Sequence, residues 1–497
     1  MGEATRQTHE GAGGDAIVRM NGQDLAAAIQ SRSISCVDVM AAYLDHIERA
    51  NAHVNAIVLI RDRGELLGEA RARDEELARG DVRGWMHGFP QAIKDLASVK
   101  GLPTTQGSPI YKDAVAAADS IFVERMRAAG SIFVGKTTTP EFGLGSHTFN
   151  PVFGHSRNPY DLARTPGGSS GGAGAALAMR MLPVADGSDH GGSLRNPAAF
   201  NNVMALRTSY GRVPVKSDEV FLPQMGVAGP MARTAADLAA LLAVQSGYDP
   251  RVPLSITEDS ARFTRNLERD FRGVRVGWLG DFDGYIPTEP GILDLCGDGL
   301  KALERIGCVV EPAKPDFSPE AVWNAWRILR GWQAGSSLVE LYNDPRKRAL
   351  LKPEAQWEVE QGLKVTGFEL TKASTVRTAW YHAVRQLFAA YDFLVLPSAQ
   401  VFPFPVEWRW PKEIAGRAMD TYHRWMEVVI PVTMSGCPAL ALPVGFNDGG
   451  LPTGMQVVAP NHGEHALLQL ARAYEQEAPW LARRPPLLDE ILGQGSR

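Results

Sequence analysis

The chain has 497 residues, 44% of them hydrophobic, with 51 Lys plus Arg against 56 Asp plus Glu; it can bury a large core without disulfide staples, which excludes a disordered chain. A net charge of −5 with no block of five like charges leaves no footprint for nucleic acid or anionic lipid, and no stretch approaches ~18 uninterrupted apolar residues, so neither a nucleic-acid partner nor a membrane span is expected. Cys36, Cys296, Cys308 and Cys437 are scattered and form no CxxC pair, so no metal site or cofactor is expected and a reducing, cytoplasmic setting is. In chain order, residues 1–14 read as a flexible polar tail and 15–497 as a single domain, because no linker interrupts the rest. Ser35 with Asp38 resembles a capping box, and Val37, Met40, Ala41, Leu44 and Ile47 follow at helical spacing. Short apolar runs at 55–60, 89–93, 131–134, 274–279 and 393–396 alternate with helical stretches such as 120–129 and 292–306. That alternation predicts an α/β fold with a sheet covered by helices on both faces. Residues 318–427 read as mostly helical and hold eight of the eleven tryptophans.

Two motif matches point elsewhere. Gly130–Thr137 (GSIFVGKT) fits a phosphate-binding loop, but a helix precedes Gly130 and Ile132, Phe133 and Val134 look like the strand itself, so a helix stop followed by a buried strand is expected. Gly167–Gly171 (GGSSG) fits the serine-hydrolase elbow around Ser169, with His190, His382, His423, His462 and His465 available as partners. The residues before it, DLARTP, are a polar loop rather than a strand, which leaves a Ser-His-Asp esterase as an alternative mechanism only.

The chemistry concentrates in residues 165–197, where PGGSSGG is followed, across a small-residue helix near 173–181, by GSDHGGSLRNP. Glycines flanking a serine let a substrate approach the main chain and let successive N–H groups converge on one oxygen. These residues resemble the amidase signature family, whose core combines a strand-end K-D motif (here FPQAIKDL, with Lys94), PGGSSGG (with Ser169) and D-x-GGS-x-R-x-P (with Ser193, 24 residues after Ser169). GKTTTPEF (135–142), AAF (198–200), GRVP (211–214) and GLPTGMQ (450–456) extend the likeness over most of residues 24–475, with only a general layout matched between about 248 and 395.

The resemblance implies a mixed central sheet and a Ser-Ser-Lys triad without metal or cofactor. In it Ser193 is the nucleophile, Ser169 a relay after a cis Gly168–Ser169 bond, and Lys94 a base kept neutral by burial. The backbone N–H groups of His190, Gly191, Gly192 and Ser193 form the oxyanion hole, and Asp189 and Arg195 brace the loop. His190 departs from the small or aliphatic residue usual in the family and invites a general-base role, although a packed histidine is the simpler expectation. Asn201 and Asn202 replace the usual Cys-Gly. By position, Phe142, Gly143 and Leu144 line the acyl pocket, and the tryptophan-rich stretch shapes the channel toward apolar substrates. The expected substrates are small molecules, apolar or bulky aryl amides, esters and carbamates (urethanes), handled by a monomer or homodimer, as in aryl acylamidases and urethane-cleaving members. The alternative is the amidase subunit of the glutamine-dependent tRNA amidotransferase, against which Val220–Pro230 (VFLPQMGVAGP) lacks the familiar stretch. A binding-only descendant is disfavoured because all three catalytic positions are filled.

Overall fold

Local chemistry sets the first long helix. In the computed structural model, which describes residues 13–222 and 224–493, Ser35 Oγ accepts the Asp38 N–H and the Asp38 carboxylate accepts the Ser35 N–H ahead of the helix Cys36–Val54. Such caps contribute about 1 kcal/mol. Met40, Leu44 and Ile47 lie buried along one face, and Asn55, in the left-handed conformation, ends the helix. Of the expected tail, residues 1–12 lie outside the described residues, and Gly14 already opens the helix Gly14–Arg19.

The first three strands are β1 (Ile57–Val58), β2 (Pro90–Lys94) and β3 (Ile132–Thr137), which form a sheet in the order β1-β3-β2. The phosphate-loop pattern dissolves here: Gly130 (φ +104°) follows the helix Ile121–Ala128, and Lys136 sits inside β3 with its Nζ donating to the Ala97 carbonyl at 2.6 Å. A hairpin of β4 (Phe149–Asn150) and β5 (Gly154–His155) follows. Next come β6 (Ala185–Asp189), β7 (Met204–Arg207), β8 (Val227–Ala232), β9 (Arg275–Trp278), β10 (Val309–Pro312) and β11 (Phe393–Pro397). A second hairpin, β12 (Glu413–Ile414) with β13 (Arg417–Ala418), precedes β14 (Ala439–Phe446) and β15 (Pro452–Val458).

Eight strands form the main sheet, in the order β10-β9-β11-β15-β14-β7-β8-β6. It is mixed: β10/β9 and β9/β11 pair in parallel, and the remaining pairs are antiparallel. Both faces carry helices. The helix Arg195–Phe200 sets Ala199 against Gly454, the helix Ile292–Arg305 sets Gly299 against Met455, and adjacent strand residues point to opposite faces. The smaller sheet meets the larger one beside β6. No ladder joins β2 to β6; side chains span the seam, with Gln91 Nε2 donating to the Val184 carbonyl at 3.1 Å and the Lys94 N–H donating to Asp186 Oδ1 at 3.2 Å.

The helical character expected over 318–427 holds for Pro319–Asn343, Pro353–Gly362 and Gly367–Leu387 and ends there. Beyond β11 the chain to Glu427 is mainly loop, the β12–β13 hairpin and a 3-10 turn. The first two of these helices cross on glycine: a Cβ on Gly335 would stand 3.1 Å from Gly362 Cα, so a larger residue would push them apart.

Candidate active site

Lys94 ends β2, Ser188 and Asp189 end β6, and Ser169 and Ser170 lead into the helix Gly171–Ala178. These termini converge at the seam. Lys94 is 1% exposed, and its Nζ lies 2.8 Å from Ser169 Oγ, 2.8 Å from Ser170 Oγ and 3.0 Å from Ser188 Oγ. Burial lowers its pKa from 10.5 to about 7, against the opposing pull of the Asp186 and Asp189 carboxylates. A neutral amine has two N–H donors and one lone pair, so with Lys94 deprotonated one of the three hydroxyls donates to Nζ. The Gly168–Ser169 peptide bond is cis.

Ser193 and Ser169 line one cavity of about 350 Å³. The loop carrying Ser193 is pinned from behind by Asp189. Its carboxylate accepts two bonds from Arg195, at 2.8 and 3.0 Å, and one from Arg207, at 3.1 Å. It also accepts the N–H groups of Gly192 (3.0 Å) and Leu194 (3.1 Å). Although burial opposes its charge, the two guanidinium groups hold Asp189 well below the usual carboxylate range. Arg195 in turn reaches the Val429 carbonyl, Gln456 Oε1 and Thr433 Oγ1 at 2.7–2.9 Å.

The Gly192 N–H is therefore committed to Asp189, which corrects its expected place among the oxyanion donors. The N–H groups of His190, Gly191 and Ser193 make no hydrogen bond among the described residues. The His190 side chain forms no hydrogen bond to Ser193 among the described residues. Burial pushes its pKa well below 6.5, and its Nε2 has no hydrogen-bond partner among the described residues. Nor is Ser169 on an elbow, since the residues before it form a loop rather than a strand.

Three sequence expectations about the pocket divide. Phe142 (φ +54°) and Gly143 (φ +68°) line the cavity, and Gly143 backs Ser169, its missing Cβ falling 3.5 Å from Ser169 Oγ. Leu144 does not line it; the side chain packs with Leu338, Leu341 and Leu351. No tryptophan among the described residues lines it. Trp323, Trp326, Trp380 and Trp425 are at most 2% exposed and belong to the core beside the main sheet. The walls come instead from Leu96, Phe122, Val213, Val227 and Val252, with Arg330 and Gln333 on the helix Pro319–Asn343. Asn201, the departure from Cys-Gly, donates to the carbonyls of Pro166 and Pro197, both at 2.7 Å, and ties the two serine loops together.

A family model described as Amidase matches residues 38–468. The chain belongs to the amidase signature family. It is a hydrolase acting on carbon–nitrogen bonds, and the mixed sheet with helices on both faces is the amidase signature fold. An acylamidase of Rhodococcus erythropolis is 31% identical over 470 residues, covering 94% of this chain and 97% of that protein. A glutamyl-tRNA(Gln) amidotransferase subunit from Methylococcus capsulatus is 32% identical, covering 93% of this chain and 98% of its own. Among solved structures, a bacterial aryl acylamidase of the amidase signature family superposes with a TM-score of 0.87 at 28% identity, covering 95% of this chain and 98% of that one. The 6-aminohexanoate cyclic dimer hydrolase gives a TM-score of 0.82, also at 28% identity, covering 95% and 99%. Among the described residues no helix is long and apolar enough to cross a membrane.

The functional positions that sequence reading missed in this amidase are Asp186, Ser170, Ser188 and Arg207. Ser170 and Ser188 adjoin motif residues and were legible as such. Asp186 and Arg207 lie in strands whose pairing no local pattern announces.

Proposed function

We propose that this protein is an amidohydrolase for bulky apolar or aryl amides that also cleaves aryl esters and carbamates, working through an acyl-enzyme on Ser193. The observation that carries the reading is the 2.8 Å contact between Ser169 Oγ and a lysine whose pKa burial has brought to about 7. Neutral Lys94 accepts the Ser169 proton as Ser169 accepts that of Ser193, while Ser193 attacks the carbonyl carbon. The tetrahedral oxyanion is held by the N–H groups of His190, Gly191 and Ser193, each such donor contributing about 3 kcal/mol. The proton returns through Ser169 to the departing amine, the C–N bond breaks, and water, deprotonated along the same route, releases the acid.

The substrate class is supported by the apolar walls at Leu96, Phe122, Phe142, Val213, Val227 and Val252 and by the acylamidase relatives, not by the tryptophans. At about 25 cal/mol per Å² of buried apolar area, an aryl group should improve kcat/KM over a short aliphatic amide by at least ~10-fold. The test is a panel of p-nitroacetanilide, aryl carbamates, aliphatic amides and glutamine, each run beside Ser193→Ala, with a serine-directed phosphonate to label the nucleophile. Anilide turnover lost in Ser193→Ala, with label on Ser193, supports the reading. Label on Ser169 with Ser193 untouched sinks it. The second reading, an amidase component of a tRNA amidotransferase, is favoured by the 32% identity to such a subunit, and glutaminase activity exceeding anilide hydrolysis would select it.

A further inference from the structure

Arg330 is presented to the cavity of Ser193 from the far wall. Its Nε donates to Glu358 Oε1 at 2.9 Å, and that carboxylate is buried under the Tyr422 hydroxyl (2.6 Å) and His423 Nε2 (3.0 Å). The guanidinium is thereby fixed in one orientation. Its terminal nitrogens, with the Tyr422 hydroxyl alongside, hold no carboxylate or carbonyl among the described residues. The Arg330 side chain is 13% exposed and lines the cavity. Gln333, one turn further along the same helix, lines the cavity too, and its amide, whose Nε2 can donate, makes no hydrogen bond among the described residues.

The other charged groups of the cavity have partners or positions of their own. Asp189 is neutralised by Arg195 and Arg207, Asp186 accepts the Lys94 N–H, and Lys94 is held by three hydroxyls. Glu219 is exposed, and its carboxylate accepts the N–H groups of Phe221 and Leu222. Among the described residues Arg330 is the one guanidinium lining the cavity. A planar fork held by a buried carboxylate, its terminal nitrogens met only by the Tyr422 hydroxyl among the described residues, matches the two oxygens of a second carboxylate.

We propose that Arg330, assisted by Gln333, is a specificity-determining subsite that takes a carboxylate carried by the substrate away from the scissile bond, so that half-acid amides are preferred to their neutral counterparts. The inference rests on the amidase reading of the same cavity. The carboxylate can sit on the amine portion or on the acyl portion, and two substrate pairs separate these: 4-acetamidobenzoate against 4-acetamidobenzamide, and N-phenylsuccinamate against N-phenylsuccinamide. For each pair the ratio of kcat/KM, acid over amide, is measured in the wild type and in Arg330→Met.

The wild-type ratio should fall at least ~10-fold in Arg330→Met for one of the two pairs, with Arg330→Lys intermediate because it keeps the charge but loses the fork. Using a ratio within one protein cancels any general loss of activity. If Arg330→Met, which leaves Glu358 without its cation, does not fold, the comparison is made with Arg330→Lys and by calorimetric binding of 4-acetamidobenzoate to Ser193→Ala with and without that change. Ratios, or affinities, that are equal with and without the guanidinium overturn the subsite while continued anilide hydrolysis leaves the amidase reading standing. Loss of all amide turnover in the wild type overturns both.

Discussion

Lys94 Nζ and Ser169 Oγ stand 2.8 Å apart at a point where the lysine is 1% exposed. Burial penalises the charged form of the amine until the pKa falls to about 7. With the unprotonated amine as the proposed base, kcat/KM should climb as pH rises through about 7 and level off above it. Asp186 opposes this shift by stabilising the ammonium, and its own carboxyl is pushed by burial up to about 6. Asp186→Asn should therefore move the acidic limb to lower pH. Profiles of kcat/KM on a neutral anilide from about pH 5 to about pH 9 check both signs; a limb that follows His190→Ala instead would reassign the base.

Asp189 serves two buried guanidinium groups, Arg195 at 2.8 Å and Arg207 at 3.1 Å. Asp189→Asn leaves both without a counter-charge, and breaking a buried pair costs about 3–5 kcal/mol. Urea denaturation should show that loss, and turnover should fall with it because the Gly192 and Leu194 anchors weaken together. Since the carboxyl sits well below the usual range, its contribution is complete above the pH at which an ordinary carboxylate is protonated and is lost progressively as pH falls below it.

Trp380 is 2% exposed and donates its indole N–H to the Pro431 carbonyl at 2.7 Å. Trp380→Ala should lower stability by about 3–5 kcal/mol through the cavity left behind. The preference for aryl over alkyl amides should stay unchanged within about twofold. A collapse of that preference in a stable variant would return the tryptophans to the channel wall.

Gly143 occupies a left-handed conformation, and a Cβ there would stand 2.7 Å from Leu96 Cδ1 as well as 3.5 Å from Ser169 Oγ. Gly143→Ala should fold, because the end of the Leu96 side chain can turn aside. Its kcat/KM should drop ~10-fold or more as the displaced wall crowds the relay serine. Thermal unfolding read beside steady-state kinetics separates the two effects.

Contiguous runs explain what was readable in advance. FPQAIKDL, PGGSSGG and DHGGSLRNP are each contiguous, so the family resemblance they carry was enough to group Lys94, Ser169 and Ser193. The strands that hold them were harder. β6 reads ADGSD, small and polar, without the apolar run that marks β3 or β11, and glycine and proline interrupt the apolar residues of β8 and β14. The pocket wall failed for a different reason: aromatic abundance in 318–427 reports the core those helices build and says nothing about which side chains face the cavity. Gly192 shows the same limit at the scale of one N–H, whose partner is decided by the Asp189 side chain three residues back.

The seam between the two sheets makes the active centre a joint rather than a bowl. Lys94 belongs to β2, while the Asp189 anchor of the Ser193 loop ends β6, and Gln91 and Asp186 are side-chain rivets across a gap that no backbone ladder closes. A slip of about 1 Å along that gap parts the proton route while every helix and strand stays intact. Catalysis is then the most fragile property of this fold, and mild denaturant should silence the enzyme well before its circular dichroism changes.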